Sequence, residues 1–373
     1  MKKILFLLPI AFSIVCFAQK RNNNNKAIYL EDISWTTSQQ YLTPDAVVVM
    51  PLGAAAKEHG PHLPLSTDFI QAEGLAKIVA LHRKVIITPV VNYGFYPAFL
   101  KYPGSTSTNF RTATDIVVQI VRSLANYGPK RFYIINVGVS TTPTLETAAK
   151  ILSEEGILLY FSRYDRPAFD KAEAAFRTKE YSGHADELET SNILYLRPDL
   201  TNMSKAVNDS SMKDKRGNMS PVAIEGGNLN TSGINGYAAL GTKDKGKKNI
   251  LSFANELIKE IDSVINCSLP IAKNRTTEYT SFEGSYTDAA GKKLIVNQKN
   301  NILYFTWDGR DTRNFFHLYK DAPDYFSSMA MNILFIRNEK GFSAKFTPEI
   351  RGSEVEKAWC QYRGESFWVT KDR

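Results

Sequence analysis

Glu58, His59, His62 and Asp68 fall within eleven residues, interrupted by Gly60, Pro61 and Pro64. Carboxylate and imidazole at this density suit a borderline divalent cation such as zinc or manganese, which takes nitrogen and oxygen donors together. The prolines fix φ and stiffen the loop that would carry those donors. The same side chains could instead serve a polar turn whose histidines hydrogen-bond to backbone. Spacing alone leaves both readings open.

What must position these groups is a strand ahead of them. Residues 47–49 are three valines, a buried-strand signal, and Pro51 and Gly53 are expected to end it. In an open α/β sheet, the loop beyond a strand's carboxyl end is where ligands sit. Further strands are expected over residues 85–91, 131–136 and 157–162. Apolar residues at Ile116, Val117, Ile120, Val121 and Leu124 predict a helix over 112–126, and others are expected over 145–154 and 248–265. Strand and helix in alternation predict an α/β fold, a mostly parallel sheet flanked by helices. Its span, residues 28–266, is long enough to bury one full core.

Past a linker at 267–276 the character changes. Short strands separated by turn residues are expected over 294–297, 302–307, 315–319, 333–337 and 342–346. They predict a small antiparallel β domain over 277–373, with Tyr304, Trp307, Phe315 and Phe316 in its core and an accessory or docking role. Cys267 and Cys360 either bridge the two domains or remain free thiols.

Residues 1–18 read as a secretory signal: Lys2 and Lys3, an apolar run over 4–17, and small residues at the cleavage positions. A polar leader at 19–27 follows. Export to the periplasm or medium is expected, and Val15 is bulky for lipidation at Cys16. No later stretch reaches the ~18 apolar residues of a membrane span. Without Lys2 and Lys3 the chain carries 44 basic against 38 acidic residues. The basic clusters at 213–216 and 243–248 lack interleaved aromatics, which argues against nucleic acid as a partner.

The motif also resembles the creatininase family of amidohydrolases, whose signature runs Pro-x-Gly-Ser-x-Glu-x-His-Gly-x-His-Leu-Pro with an Asp six residues past the second His. His59-Gly60-Pro61-His62-Leu63-Pro64 and Asp68 stand in register with it. Phe95 to Thr106 resembles the family's Pro-Gly-Thr segment. Gly183-His184-Ala185-Asp186-Glu187-Leu188-Glu189-Thr190-Ser191 resembles Gly-His-Ala-Gly-Glu-x-Glu-Thr-Ser, and residues 233–246 the last glycine-rich turn. The resemblance covers roughly residues 28–265. It implies metal contact for His59, Asp68 and a displaced Glu58, with Asp68 bridging two ions, and a hydrogen bond from His62 beside them. It implies that His184, or Glu189 near the metals, passes a proton to the leaving amine.

Two departures fall on expected ligands. Lys57 stands where the family has its leading Glu, with Glu58 adjacent, and Gly53 to His59 is one residue longer. In Asn136-Val137-Gly138-Val139-Ser140-Thr141, Gly138 takes the place of an expected His and Ser140 that of another ligand. The implied activity is metal-dependent cleavage of a C–N amide bond in a small molecule, whether cyclic amide, formamide or peptide-like compound. Gly138 and Ser140 favour the alternative, a creatininase-like binding protein that has lost its metal centre. The retained groups from Glu58 to Asp68, with His184 and Glu189, favour the enzyme. Similar proteins form ring-like hexamers, so the resemblance also implies a homo-oligomer.

Overall fold

The computed structural model describes residues 27–372 except 165, 182, 214, 216, 273–278, 300–301, 308–315, 323–324, 328–330, 338–353 and 363–364. The signal and most of the polar leader lie outside the described residues, as does the strand expected over 342–346. The chain divides after residue 273 into two compact units.

The first unit is built on five parallel strands: β1 (Ile28–Tyr29), β2 (Val47–Leu52), β3 (Ile86–Ile87), β4 (Arg131–Asn136) and β5 (Leu158–Phe161). Their order across the sheet is β1-β3-β2-β4-β5. Alternation along the strands sends Val47, Val49, Tyr133 and Ile135 to one face, and Val48, Met50, Phe132 and Ile134 to the other. The first face is covered by α2 (Thr67–His82), α5 (Pro167–Ala174) and α7 (Lys243–Asn266), through Leu75 and Val79, Phe169, and Phe253, Leu257 and Ile261. The second is covered by α3 (Phe110–Ala125) and α4 (Thr142–Ser153), through Val117, Val121, Leu145 and Leu152. Each such side chain contributes about 1.5–3 kcal/mol by burial. A short α1 (Trp35–Ser38) precedes β2, and α6 (Glu187–Leu196) packs on α7.

Several elements differ from the sequence-based bounds. β2 runs through Pro51 to Leu52, because Pro51 keeps its place in the ladder opposite Ile135 and its carbonyl accepts from Val91 N–H at 2.9 Å. β3 shrinks to Ile86–Ile87, since Pro89 interrupts the run expected to 91. Helix α3 starts two residues early, at Phe110, because the Asn109 side chain accepts from Thr112 N–H at 2.8 Å and caps it. Helix α6 was not predicted; Asp186 caps it, accepting from Leu188 and Glu189 N–H at 2.9 and 3.1 Å.

Between α6 and α7 lie two minimal sheets. β6 (Asn208–Asp209) pairs antiparallel with β9 (Gly236–Tyr237), and β7 (Met219–Ser220) pairs parallel with β8 (Asn228–Leu229). No described helix is long and apolar enough to cross a membrane.

The second unit is a closed antiparallel barrel of eight strands: β10 (Gly284–Asp288), β11 (Lys293–Lys299), β12 (Ile302–Trp307), β13 (Phe316–Ala322), β14 (Tyr325–Ser327), β15 (Met331–Arg337), β16 (Val355–Tyr362) and β17 (Glu365–Lys371). β17 pairs back onto β10. Closure removes the exposed edges that an open sheet would present. Tyr286, Leu294, Val296, Leu303, Phe305, Phe335 and Val369 fill the interior. Phe305 is the core aromatic of β12; Tyr304, expected there, is only half-buried because alternation turns it the other way. Both Cys267, exposed, and Cys360, buried, are free thiols. Burial pushes the Cys360 thiol up to about 12.

Candidate metal-assisted hydrolytic site

The loop after β2 folds back onto the start of α2. A Cβ at Gly53 would collide with the Asp68 backbone carbonyl, so glycine is what lets β2 pass this close to the helix. Backbone bonds fix the return: Phe69 N–H to Ala54 O at 3.1 Å, and Lys57 N–H to Leu65 O at 3.0 Å. The segment resembling Pro-Gly-Thr clamps the other side, with Glu58 N–H donating to Ser105 Oγ at 2.9 Å and Thr106 N–H to Ala56 O at 2.8 Å. His184 is held by reciprocal backbone bonds with Asn235, at 2.9 and 2.7 Å. Next to it Ala185 adopts φ 50° and donates its N–H to Glu189 Oε2 at 2.5 Å. Three sequence-distant segments thereby converge on one cluster.

His59, His184 and Glu189 each offer one ligand atom, and these atoms lie within 4.8 Å of one another. His59 Nε2 is 3.8 Å from Glu189 Oε1, and His184 Nδ1 is 3.8 Å from Glu189 Oε2. The two imidazole rings are 4.8 Å apart, and Phe99 lies 4.3 Å from that of His184. His59 Nδ1 is 3.0 Å from the Lys57 carbonyl, and Nε2 is 2.9 Å from Asp68 Oδ1. Both nitrogens thus face oxygen acceptors, which a second ring proton or a cation at Nε2 satisfies. A ring N–H on a backbone carbonyl is also how metal-ligating histidines are commonly oriented.

Glu58, expected as a ligand, is drawn elsewhere. Its carboxylate accepts from Gly60 N–H and from His184 Nε2, the latter at 3.0 Å. Adjacent side chains diverge, so Glu58 points to His184 while His59 points to Asp68. Burial pushes the Glu58 carboxyl up, but the His184 hydrogen bond and charge outweigh it and hold the group below its usual range. Burial likewise opposes charge on His184, yet the Glu58 bond and charge and Glu189 leave it raised. Gly233, at φ 69°, makes room here, since a Cβ would strike the Glu58 carboxylate.

Asp68, fully buried, is met at Oδ2 by Lys57 Nζ at 2.7 Å and at Oδ1 by His59. Burial would raise its carboxyl, but Lys57 and then His59 hold it far below the usual range. It does not cap α2; its oxygens face Lys57 and His59 instead. His62 accepts or donates at Nε2 to Thr190 Oγ1 at 2.7 Å, and burial lowers its pKa to about 4. Gly138 is buried, and its loop closes on itself, with Thr141 Oγ1 2.6 Å from Asn136 Oδ1.

The site groups missed in the sequence are Lys57, Ser105, Thr190 and Gly233. Lys57 had a signal: a cation standing where the resemblance expects an anion, eleven residues before Asp68.

A parallel sheet with histidines and carboxylates gathered beyond the carboxyl end of β2 defines an α/β protein of the open-sheet kind. The creatininase family model, described as creatinine amidohydrolase, matches residues 31–261, and the chain belongs to that family. Membership places it among hydrolases acting on C–N bonds. It is 26% identical over 267 residues to 3-dehydro-scyllo-inosose hydrolase of Thermotoga maritima, covering 63% of this chain and 83% of that one. It is 25% identical over 204 residues to creatinine amidohydrolase of Pseudomonas putida, covering 49% and 77%. A creatininase mutant of Zn–Zn type superposes with a TM-score of 0.54 at 20% identity, covering 65% of this chain and 99% of that one. A manganese form of creatininase gives 0.53, also at 20%, covering 65% and 100%. These superpositions bear on the fold.

Proposed function

We propose that the protein is a metal-dependent amidohydrolase that cleaves a C–N amide bond of a small molecule in an exported compartment. The observation that carries the reading is the convergence of His59, His184 and Glu189 within 4.8 Å. Two imidazoles and a carboxylate are a donor set suited to zinc or manganese, and they would hold a single ion. Creatininase neighbours of Zn–Zn and manganese type give the same choice of metals. When bound, the ion supplies Lewis acidity, polarising a carbonyl and making water more acidic.

The protein's own groups do the rest. Glu58 fixes the His184 ring through Nε2, leaving Nδ1 toward Glu189. Glu189, with a side chain 24% exposed, is the most accessible of the three and is assigned the proton. It accepts the proton from water as the new C–O bond forms, and returns it to the nitrogen as the C–N bond breaks. Phe99 walls the site beside His184 and limits water. Lys2, Lys3 and the apolar residues 4–17 support export.

The test is elemental mass spectrometry of the purified mature protein, with a panel of cyclic amides, formamides and short peptides assayed for released amine. One equivalent of zinc or manganese and measurable turnover are expected, both lost in His59→Ala. No metal above background after incubation with either ion would overturn the mechanism.

A further inference from the structure

A buried ammonium is costly unless paired, and Lys57 is buried with its side chain 6% exposed. Its Nζ lies 2.7 Å from Asp68 Oδ2 and over the rings of Phe99 and Tyr96, at 5.0 and 5.7 Å from their centres. That is a built cation site: one carboxylate oxygen beneath, two aromatic faces around. The other Asp68 oxygen is taken by His59 at 2.9 Å. On the β4 side Gly138 offers no side-chain ligand; a Cβ there would meet only ordinary contacts, Thr141 Oγ1 at 3.4 Å and the Tyr96 ring at 3.6 Å.

We infer that the Lys57 ammonium is the resident cation at Asp68 Oδ2, in the place a second metal ion would need, so that Asp68 does not bridge two ions and the site accepts one. This rests on the single-ion reading above for the ion itself, but the Lys57–Asp68 pairing stands apart from it. A second divalent ion, on Asp68 Oδ2, would have to expel the ammonium or sit beside a like charge. The chain has thus exchanged an exchangeable cation for a covalently tethered one, at the position where Lys57 replaces an expected carboxylate. Before an ion binds, Asp68 Oδ1 faces His59 Nε2 at 2.9 Å, and the Lys57 carbonyl faces Nδ1 at 3.0 Å, which makes both Asp68 and Lys57 positioning residues.

Zinc and manganese titrations by calorimetry, with elemental mass spectrometry, test this on the full mature chain. The wild type and the double variant Lys57→Met/Asp68→Asn are each expected to hold one equivalent, since His59, His184 and Glu189 are intact in both. Two equivalents in the wild type, or loss of the ion in a folded double variant, would overturn the inference. Thermal unfolding of the two single variants and the double, all after chelation, gives a second readout that needs no metal. The double is expected to recover about half or more of the Tm lost in Asp68→Asn, because no charge is then left stranded. Strictly additive losses would overturn the pairing. Absence of bound metal throughout, with a non-additive cycle, would reject the hydrolase mechanism and leave Lys57 as the cation of Asp68.

Discussion

Glu58→Gln is the sharpest probe of how this cluster is held. Glu58 accepts from Gly60 N–H and from His184, with both side chains nearly buried. Hydrogen bonds to a charged group contribute about 1.5–3 kcal/mol, against about 0.5–1.5 for neutral ones. Glutamine keeps the shape and one acceptor, so the expected loss is about 1–1.5 kcal/mol. For a unit of this size each kcal/mol moves Tm by about 2–4 °C, giving a fall of about 2–6 °C. The loss should depend on pH. His184 is raised above 6.5, so its share is present below that value and fades as pH rises through the raised pKa. Glu58 is lowered from 4.5, so its share is present above that value and fades as pH falls through the lowered one. The penalty should therefore be fullest between about pH 4.5 and 6.5 and shrink as pH rises through the raised His184 pKa. The assay is thermal unfolding of the chelated protein across that window and the rise beyond it, paired with NMR titration of the His184 ring. A penalty equal at both ends, or a His184 titration unmoved by the substitution, would refute the reasoning.

Two further substitutions test the scaffold of the site. Gly233→Ala places a Cβ against the Glu58 carboxylate at a φ of 69°, and should cost about 1–3 kcal/mol with reduced turnover; unchanged stability in urea unfolding would show that the loop yields. Thr190→Val removes the partner of His62 Nε2, leaving a buried ring nitrogen unpaired at a cost of about 1–3 kcal/mol. Unaltered unfolding would mean that water replaces the hydroxyl.

Much of the fold was legible in the sequence because it follows from local pattern. The three valines before the histidine motif, and the helical spacing from Ile116 to Leu124, mark a strand and a helix that the structure contains as β2 and α3. Boundaries moved where a single side chain decided them, as with the cap at Asn109. Helix α6 was hidden because Leu188, Thr190, Ser191, Asn192 and Ile193 are all buried, so no polar face repeats along it.

The sequence by itself determined the α/β class and the extra β domain through local pattern, and its resemblance to the creatininase family implied that Glu58, His59, Asp68, His184 and Glu189 belong to one site. Only the tertiary structure decided their partners. Glu58 turns to His184 because neighbouring side chains on an extended loop diverge, and Asp68 is met by Lys57 because the loop after β2 folds back over the first turn of α2. Which charge faces which is fixed by the meeting of distant segments in a medium where an unpaired charge is costly, and one-dimensional spacing does not contain that distance.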